Sequence, residues 1–257
     1  MSPVRDGVVT GAGRSAVPAP PDATIHVMHH LLPRRPVRPL RLTALVCTAV
    51  LCTALALALT VLVALRWRPL LTVDVRVSDA LHAHAVAHPG WVDVVRVFSD
   101  WVWDPWTMRA LAAVAVLALV LRGERELAVR FAAATVAATL VSQGLKALVG
   151  RARPVWPDPV ATADYAAYPS GHALTATVVC VLLLWLAPRS WPLRVAVVVS
   201  VVGVGLTRVY LGVHWSSDVM AGWLLGGVVA LVALAGARRP APAGRAPSSP
   251  GAGQPGS

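Results

Sequence analysis

The sequence predicts an all-α, polytopic membrane bundle of about six transmembrane helices, with a surface amphipathic helix between the first two. Three observations carry that expectation. Of 257 residues, 56% are hydrophobic and only 14% charged, with a mean hydropathy of +0.65; a soluble domain carries roughly 25% charged residues. The apolar residues fall in long blocks, several near the roughly 20 residues that cross hydrocarbon as a helix. The basic residues, nearly all Arg, gather at the ends of those blocks.

Residues 1–41 are rich in Pro, Gly and Arg and lack the apolar core and small-residue cleavage site of a secretory signal, so they predict a disordered tail. Met28, just ahead of the first compact Arg cluster, is an alternative translation start. Six apolar blocks follow, at 42–65, 107–121, 127–146, 171–187, 193–210 and 217–235, and define one domain over 42–235. The second and fourth are short, and are expected to tilt less or to borrow flanking residues. Residues 236–257 repeat the Ala, Pro, Gly and Ser composition of a second tail.

Arg34, Arg35, Arg38 and Arg41 precede the first block, Arg122 and Arg125 separate the second and third, Arg189 and Arg194 separate the fourth and fifth, and Arg238 and Arg239 follow the sixth. With an even number of spans all four clusters share one side, which the positive-inside rule makes cytoplasmic, together with both termini. Segments 66–106, 147–170 and 211–216 then face the periplasm or exterior. Trp67, Trp101, Trp103, Trp106, Trp156, Trp191 and Trp215 stand at span ends, where indoles anchor a helix in the interface.

Within 66–106, Val73, Val77, Leu81 and Ala85 recur at near-helical spacing, with Asp74, Asp79, His82 and His84 elsewhere around the turn. That pattern suits an amphipathic helix lying on the membrane. Gly222 and Gly226 form a small-xxx-small pair expected to let two helices approach closely. Cys47, Cys52 and Cys180 lie inside apolar blocks and read as small hydrophobes, with no structural disulfide expected. The formal charge of +11 invites a nucleic-acid reading, but no basic stripe interleaved with aromatics supports one, so no nucleic-acid partner is expected. No carboxylate completes a metal pattern with His82, His84 and His88, which read as surface histidines. Asp100 and Asp104 read as solvated or helix-capping groups.

Ionisable groups near hydrocarbon are costly, which directs attention to three sets at the outer ends of spans three to six. The first is Lys146, the single lysine of the chain, with Arg153 and Pro154; the second is Pro169, Ser170, Gly171 and His172; the third is Thr207, Arg208, His214 and Asp218. The topology brings all three to one face. Lys146 supplies a point charge and Arg153 and Arg208 planar forks, a combination suited to a phosphoryl group carrying two or more charges. Pro169 and Ser170 look like a helix start, with the free amides of Gly171 and His172 aimed at the same anion. His214 and Asp218 are four apart, so on a helix the carboxylate holds one imidazole nitrogen protonated and leaves the other free to attack phosphorus. His172 is placed to protonate the departing oxygen. No carboxylate cluster suited to magnesium accompanies them, so a metal-free mechanism without cofactor is expected. Arg151 reads as an exposed neighbour.

Taken together, Lys146 with Arg153-Pro154, then Pro169-Ser170-Gly171-His172, then Arg208 with His214 and Asp218 resembles the tripartite signature of the type 2 phosphatidic acid phosphatase family, over roughly residues 40–235. The resemblance implies a six-span bundle and metal-independent hydrolysis of phosphomonoesters or pyrophosphates at the outer side of a cell membrane. It implies His214 as nucleophile, Asp218 as its partner and His172 as acid, with Lys146, Arg153, Ser170, Gly171 and Arg208 binding phosphate. Thr207 stands where the family usually has serine, and retains a hydroxyl. Undecaprenyl pyrophosphate, phosphatidic acid and phosphatidylglycerol phosphate are all compatible substrates, with the loop 155–168 and its Trp156, Asp158, Asp164, Tyr165 and Tyr168 expected to choose among them. Two other readings stand beside hydrolysis: transfer of the phosphoryl group to an alcohol acceptor, and non-catalytic binding or transport of a lipid phosphate. His172, His214 and Asp218 argue against the last, because binding needs no nucleophile.

Overall fold

A computed structural model of the chain describes residues 38–188 and 190–237, with side chains from residue 43. Residues 1–37 and 238–257, and with them most of the two tails, the Met28 start and the Arg34, Arg35, Arg189, Arg238 and Arg239 positions, lie outside the described residues, whereas 38–41, expected in the first tail, belong to the first helix. Those described form helices and connecting loops, without a strand among them. In chain order the helices are α1 (Arg38–Ala64), α2 (Arg68–Ala87), α3 (Pro89–Val97), α4 (Pro105–Leu121), α5 (Arg125–Val149), α6 (Gly171–Leu186), α7 (Trp191–Tyr210) and α8 (Ser216–Leu234), with a π-helical turn over Phe98–Val102.

Local chemistry sets most of the boundaries. Prolines open α2, α3, α4 and α7 within their first turn, where the missing N–H costs no hydrogen bond. Asp104, Ser170 and Ser190 cap α4, α6 and α7 through side-chain oxygens that accept from Trp106 N, Ala173 N and Leu193 N. Helix α5 stops at Gly150, whose φ of 58° is the left-handed conformation that a helix C-terminus favours in glycine.

Among the described residues, five helical segments are long and apolar enough to cross a bilayer: Thr43–Ala64, Pro89–Leu121, Arg125–Val149, Trp191–Tyr210 and Ser216–Leu234. The second apolar block does borrow flanking residues, since its apolar run reaches back to Pro89, with a break at Trp103–Asp104. The fourth block is α6, of 16 residues, about 24 Å of helix against a hydrocarbon core of about 30 Å. Its length is not matched to lipid because protein surrounds much of it. Every side chain from Ala173 to Cys180 is buried, so no face of that stretch is left to lipid. Leu174, Val178 and Leu182 meet Phe131, Ala134 and Ala138 of α5 and Leu234 of α8 in the main core, while Ala176 and Val179 meet Met108 and Ala112 of α4 and Val204 of α7 in a second.

Gly222 and Gly226 lie where α8 crosses α6. A Cβ at Gly222 would stand 2.7 Å from Ser170 O, and one at Gly226 2.7 Å from Leu174 O, so the backbones approach as the small-residue pair predicts. Helix α1 buries Ala56, Leu59 and Val63 on one stripe, the latter two against Tyr168 and Ala221, and exposes Leu51, Leu55 and Val61.

Two expectations need correction. Helix α2 is amphipathic, but its polar residues divide: Asp74, Ser78 and His82 are buried against the protein together with Ala85, while Asp79 and His84 are exposed, as are Val73 and Val77. Its valines remain available to lipid, and the protein supplies partners to its carboxylate. Nor are all seven tryptophans anchors. Trp67, Trp101, Trp106 and Trp191 are exposed, but Trp103 is core, Trp156 stacks on His82 at 4.0 Å and donates to Gly212 O, and Trp215 donates to Ala152 O. An indole N–H with a carbonyl in reach fixes a loop as readily as it marks an interface.

Candidate active site

Lys146 comes from the last turn of α5, Arg153 from the loop that follows, Gly171 and His172 from the first turn of α6, Arg208 from the end of α7, and His214 from the short connection into α8. They line one cavity of about 530 Å³, with Asp104, Trp106, Arg109, Ser142 and Gln143 on its other walls. Residues spread from 104 to 214 in sequence therefore share one space. Ser170 and Asp218, both wholly buried, stand behind it. Ser170 caps α6, and its N–H donates to Asp218 O at 2.9 Å.

Among the described residues, Lys146 and Arg153 have no carboxylate within ion-pair distance. Lys146 Nζ donates to Ala166 O, and Arg153 donates through Nε to Tyr165 O at 2.5 Å and through Nη1 to Val213 O. Carbonyls orient these cations without cancelling their charge, so the cavity favours an anion. Arg208 differs: Nη1 donates to Ser99 Oγ at 2.9 Å and Asp100 Oδ1 at 3.2 Å, while its buried Nε has no hydrogen-bond partner. Asp100, expected as a solvated or helix-capping group, is half exposed and also pairs with Arg208. Asp104 does cap α4, as expected, and its Oδ1 also stands 3.9 Å from His172 Nε2.

His214 is 1% exposed. Its Nδ1 lies 3.3 Å from Asp218 Oδ2, and its Nε2 lies 3.3 Å from Arg153 Nη1. A carboxylate accepts and a guanidinium donates, which assigns the ring proton to Nδ1 and the lone pair to Nε2. Burial, then the charges of Arg153, Arg208 and Lys146, push the imidazole well below its usual pKa of 6.5, so the ring is neutral. The same carboxylate oxygen accepts from Trp215 N at 2.9 Å, closing the first turn of α8.

Arg151 is not an exposed neighbour. Its side chain is 10% exposed and pairs with two carboxylates, Asp218 Oδ1 at 2.6 Å and Asp74 Oδ2 at 2.7 Å. Asp74, on α2, also accepts from Ser216 Oγ, Ser217 N and Ser217 Oγ. Position in a mixed-polarity helix concealed Asp74, and its failure to repeat the apolar period was the available signal. The three histidines of α2 and its C-terminus do not converge: His82 stacks on Trp156, whereas His84 stacks on His88 at 4.0 Å and meets Tyr210 Oη at 3.0 Å. Of the loop residues expected to face substrate, Tyr165 lines the cavity and Trp156, Asp164 and Tyr165 line an adjoining one of about 560 Å³. Tyr168 is instead wholly buried, its hydroxyl 2.8 Å from Thr60 Oγ1, and burial pushes the phenol up to about 12.

Residues 127–240 match the model of the PAP2 superfamily. Among curated proteins the chain is similar to an undecaprenyl-diphosphatase of Sulfolobus acidocaldarius, 33% identical over 144 residues, which are 52% of this chain and 63% of that protein. It is also similar to a lipid A 1-phosphatase of Rhizobium etli, 33% identical over 36% of this chain and 43% of that protein. A phosphatidylglycerophosphatase B of Bacillus subtilis is 32% identical over 34% of this chain and 46% of its own length. The chain thus spans less than two thirds of each of these relatives. Among solved structures, a transmembrane PAP2 type phosphatidylglycerolphosphate phosphatase from Bacillus subtilis superposes with a TM-score of 0.62 at 21% identity, covering 72% of this chain and 94% of that one. That likeness establishes the fold.

Proposed function

We propose, from the premise that this chain carries a PAP2 superfamily domain, that it is a membrane phosphatase releasing phosphate from a lipid phosphate or lipid pyrophosphate through a phosphohistidine on His214. The observation that carries the proposal is the cavity in which Lys146, Arg153 and Arg208 stand with two imidazoles, one of them backed by a buried carboxylate.

In this reading the cations and the α6 amides of Gly171 and His172 hold the non-bridging oxygens of the phosphoryl group. The Nε2 lone pair of His214 attacks phosphorus, the bond to the leaving oxygen breaks, and His172 gives that oxygen a proton. Asp218 stabilises the positive ring that forms, as the carboxylate of a Ser-His-Asp triad does. Water then attacks the phosphohistidine, His172 takes its proton back, and inorganic phosphate leaves with His214 restored. Ser170 acts by capping α6 and so aiming its amides. The catalytic domain is 42–235, the site faces the periplasm or exterior, and both termini are cytoplasmic. The adjoining cavity under Trp156, Asp164 and Tyr165 is where headgroups are told apart, and the names of the relatives support lipid phosphates as the class.

The test is phosphate release by purified protein from undecaprenyl pyrophosphate, phosphatidic acid and phosphatidylglycerol phosphate, alongside His214→Ala. The expected result is turnover of at least one lipid, acid-labile phosphate trapped on the protein, and loss of both in His214→Ala by several orders of magnitude. Normal turnover of all three by His214→Ala would overturn the histidine nucleophile.

A further inference from the structure

A line of buried charge runs from the amphipathic helix α2 to the nucleophile. Asp74, 1% exposed, accepts on Oδ1 from Ser216 Oγ at 2.6 Å and Ser217 N at 2.9 Å, and on Oδ2 from Arg151 Nη2 at 2.7 Å and Ser217 Oγ at 2.5 Å. Arg151 turns its other nitrogen to the opposite side, where Nη1 donates to Asp218 Oδ1 and to Ser217 Oγ, each at 2.6 Å. The Trp215 ring lies 5.5 Å from the guanidinium, closing another side of it. Asp218 then reaches His214 through its remaining oxygen.

We infer that Asp74 and Arg151 are positioning residues for the phosphoryl transfer, a clamp that fixes the carboxylate of Asp218 and through it the orientation and tautomer of His214. The inference rests on the proposed function above. Its physical basis is that Asp218 has no solvent to satisfy it, so each oxygen must be held by a named donor. Arg151 holds Oδ1, which leaves Oδ2 to Trp215 N and His214 Nδ1. Asp74 in turn keeps the guanidinium from leaving. Without it one edge of Arg151 is unpaired, and that residue already borders two cavities, one along the 151–166 loop and one between the ends of α1 and α5 and the start of α2. Asp74 also accepts from the first-turn amide of Ser217, placing a carboxylate at the positive end of α8, so the same group sets the entry of the helix that carries Asp218. Two carboxylates share one guanidinium, so the cluster carries a net negative charge beside His214, which favours the ring when it turns cationic on accepting the phosphoryl group.

The experiment measures kcat, KM and the single-turnover rate of phosphohistidine formation for Asp74→Asn, Arg151→Ala and Arg151→Lys in the detergent-solubilised protein. Each is made alone and again in an Asp218→Asn background. Expected is a fall in kcat on the order of 10- to 100-fold, as a small misplacement of a reacting group produces, with KM within about twofold because the clamp does not touch substrate. In the Asp218→Asn background the same changes should cost almost nothing further, since they act through that carboxylate. A purely structural role would lower activity equally in both backgrounds, and that result overturns the clamp, as does an unchanged kcat in Asp74→Asn. Arg151→Lys keeps the buried charge but cannot fork to both carboxylates. It serves if Asp74→Asn does not fold, and a wild-type kcat in that variant also overturns the clamp. Retained turnover in His214→Ala would sink the phosphatase mechanism itself, whereas loss at His214 with normal clamp variants sinks only this inference.

Discussion

His214 sits wholly buried among Arg153, Arg208 and Lys146, and its depressed basicity has a consequence for stability. In the unfolded chain the imidazole takes up a proton as pH falls through about 6.5, whereas the folded protein holds it neutral to far lower pH. The unfolded state therefore binds the extra proton, and stability declines below pH 6.5 by up to about 1.4 kcal/mol per pH unit from this one group. The unfolding midpoint in detergent should fall between pH 7 and 5, and His214→Asn should flatten that slope; an equal slope in the variant would contradict the buried neutral ring. At this scale the cations and imidazoles were legible because their spacing is an ordered pattern in the sequence. Asp74 and Arg151 were not, because nothing local to either residue announces a partner 77 positions away.

Helix α6 is the element on which the site depends, since its first turn carries Gly171 and His172 and α8 crosses it at Gly222. A side chain at Gly222 would press on Ser170 O and on Ala173 Cβ, 2.9 Å from an added Cβ. Gly222→Leu should destabilise the protein by on the order of 1–3 kcal/mol through overpacking and lower kcat/KM by displacing the α6 amides. Gly227, one residue beyond the second contact glycine and with nothing within 4 Å of an added Cβ, provides the control. Comparable losses in thermal stability and activity for Gly227→Leu would show that close packing is not the cause. The Gly222–Gly226 spacing made this contact readable in advance, but not which helix it meets. The burial of Asp74, Ser78 and His82 on α2 was unreadable for a related reason: periodicity gives an apolar and a polar side, and only the neighbours decide which residues are buried.

Across the whole molecule, the helix ends place the cavity at one end of α5 and the Arg122–Arg125 turn at the other, a separation of about 37 Å for its 25 residues. If the site faces outward, Val155→Cys, at a position 91% exposed, should react with an impermeant maleimide on intact cells. Arg122→Cys should react only after permeabilisation, both in a background with Cys47, Cys52 and Cys180 replaced by Ala. Labelling of the two from the same side would reject the topology. The sequence by itself determined the helical class, the apolar blocks and the ordered spacing of the cationic and imidazole residues, because hydropathy and motif spacing are properties of neighbours along the chain. Tertiary structure alone decided that α6 is enclosed by its fellows, that Trp103 is core while Trp156 and Trp215 are tied to backbone carbonyls, and that α2 turns a carboxylate inward to Arg151. Those outcomes depend on which distant groups share a desolvated space, and the cost of leaving a buried charge without a partner is settled only when the helices have met.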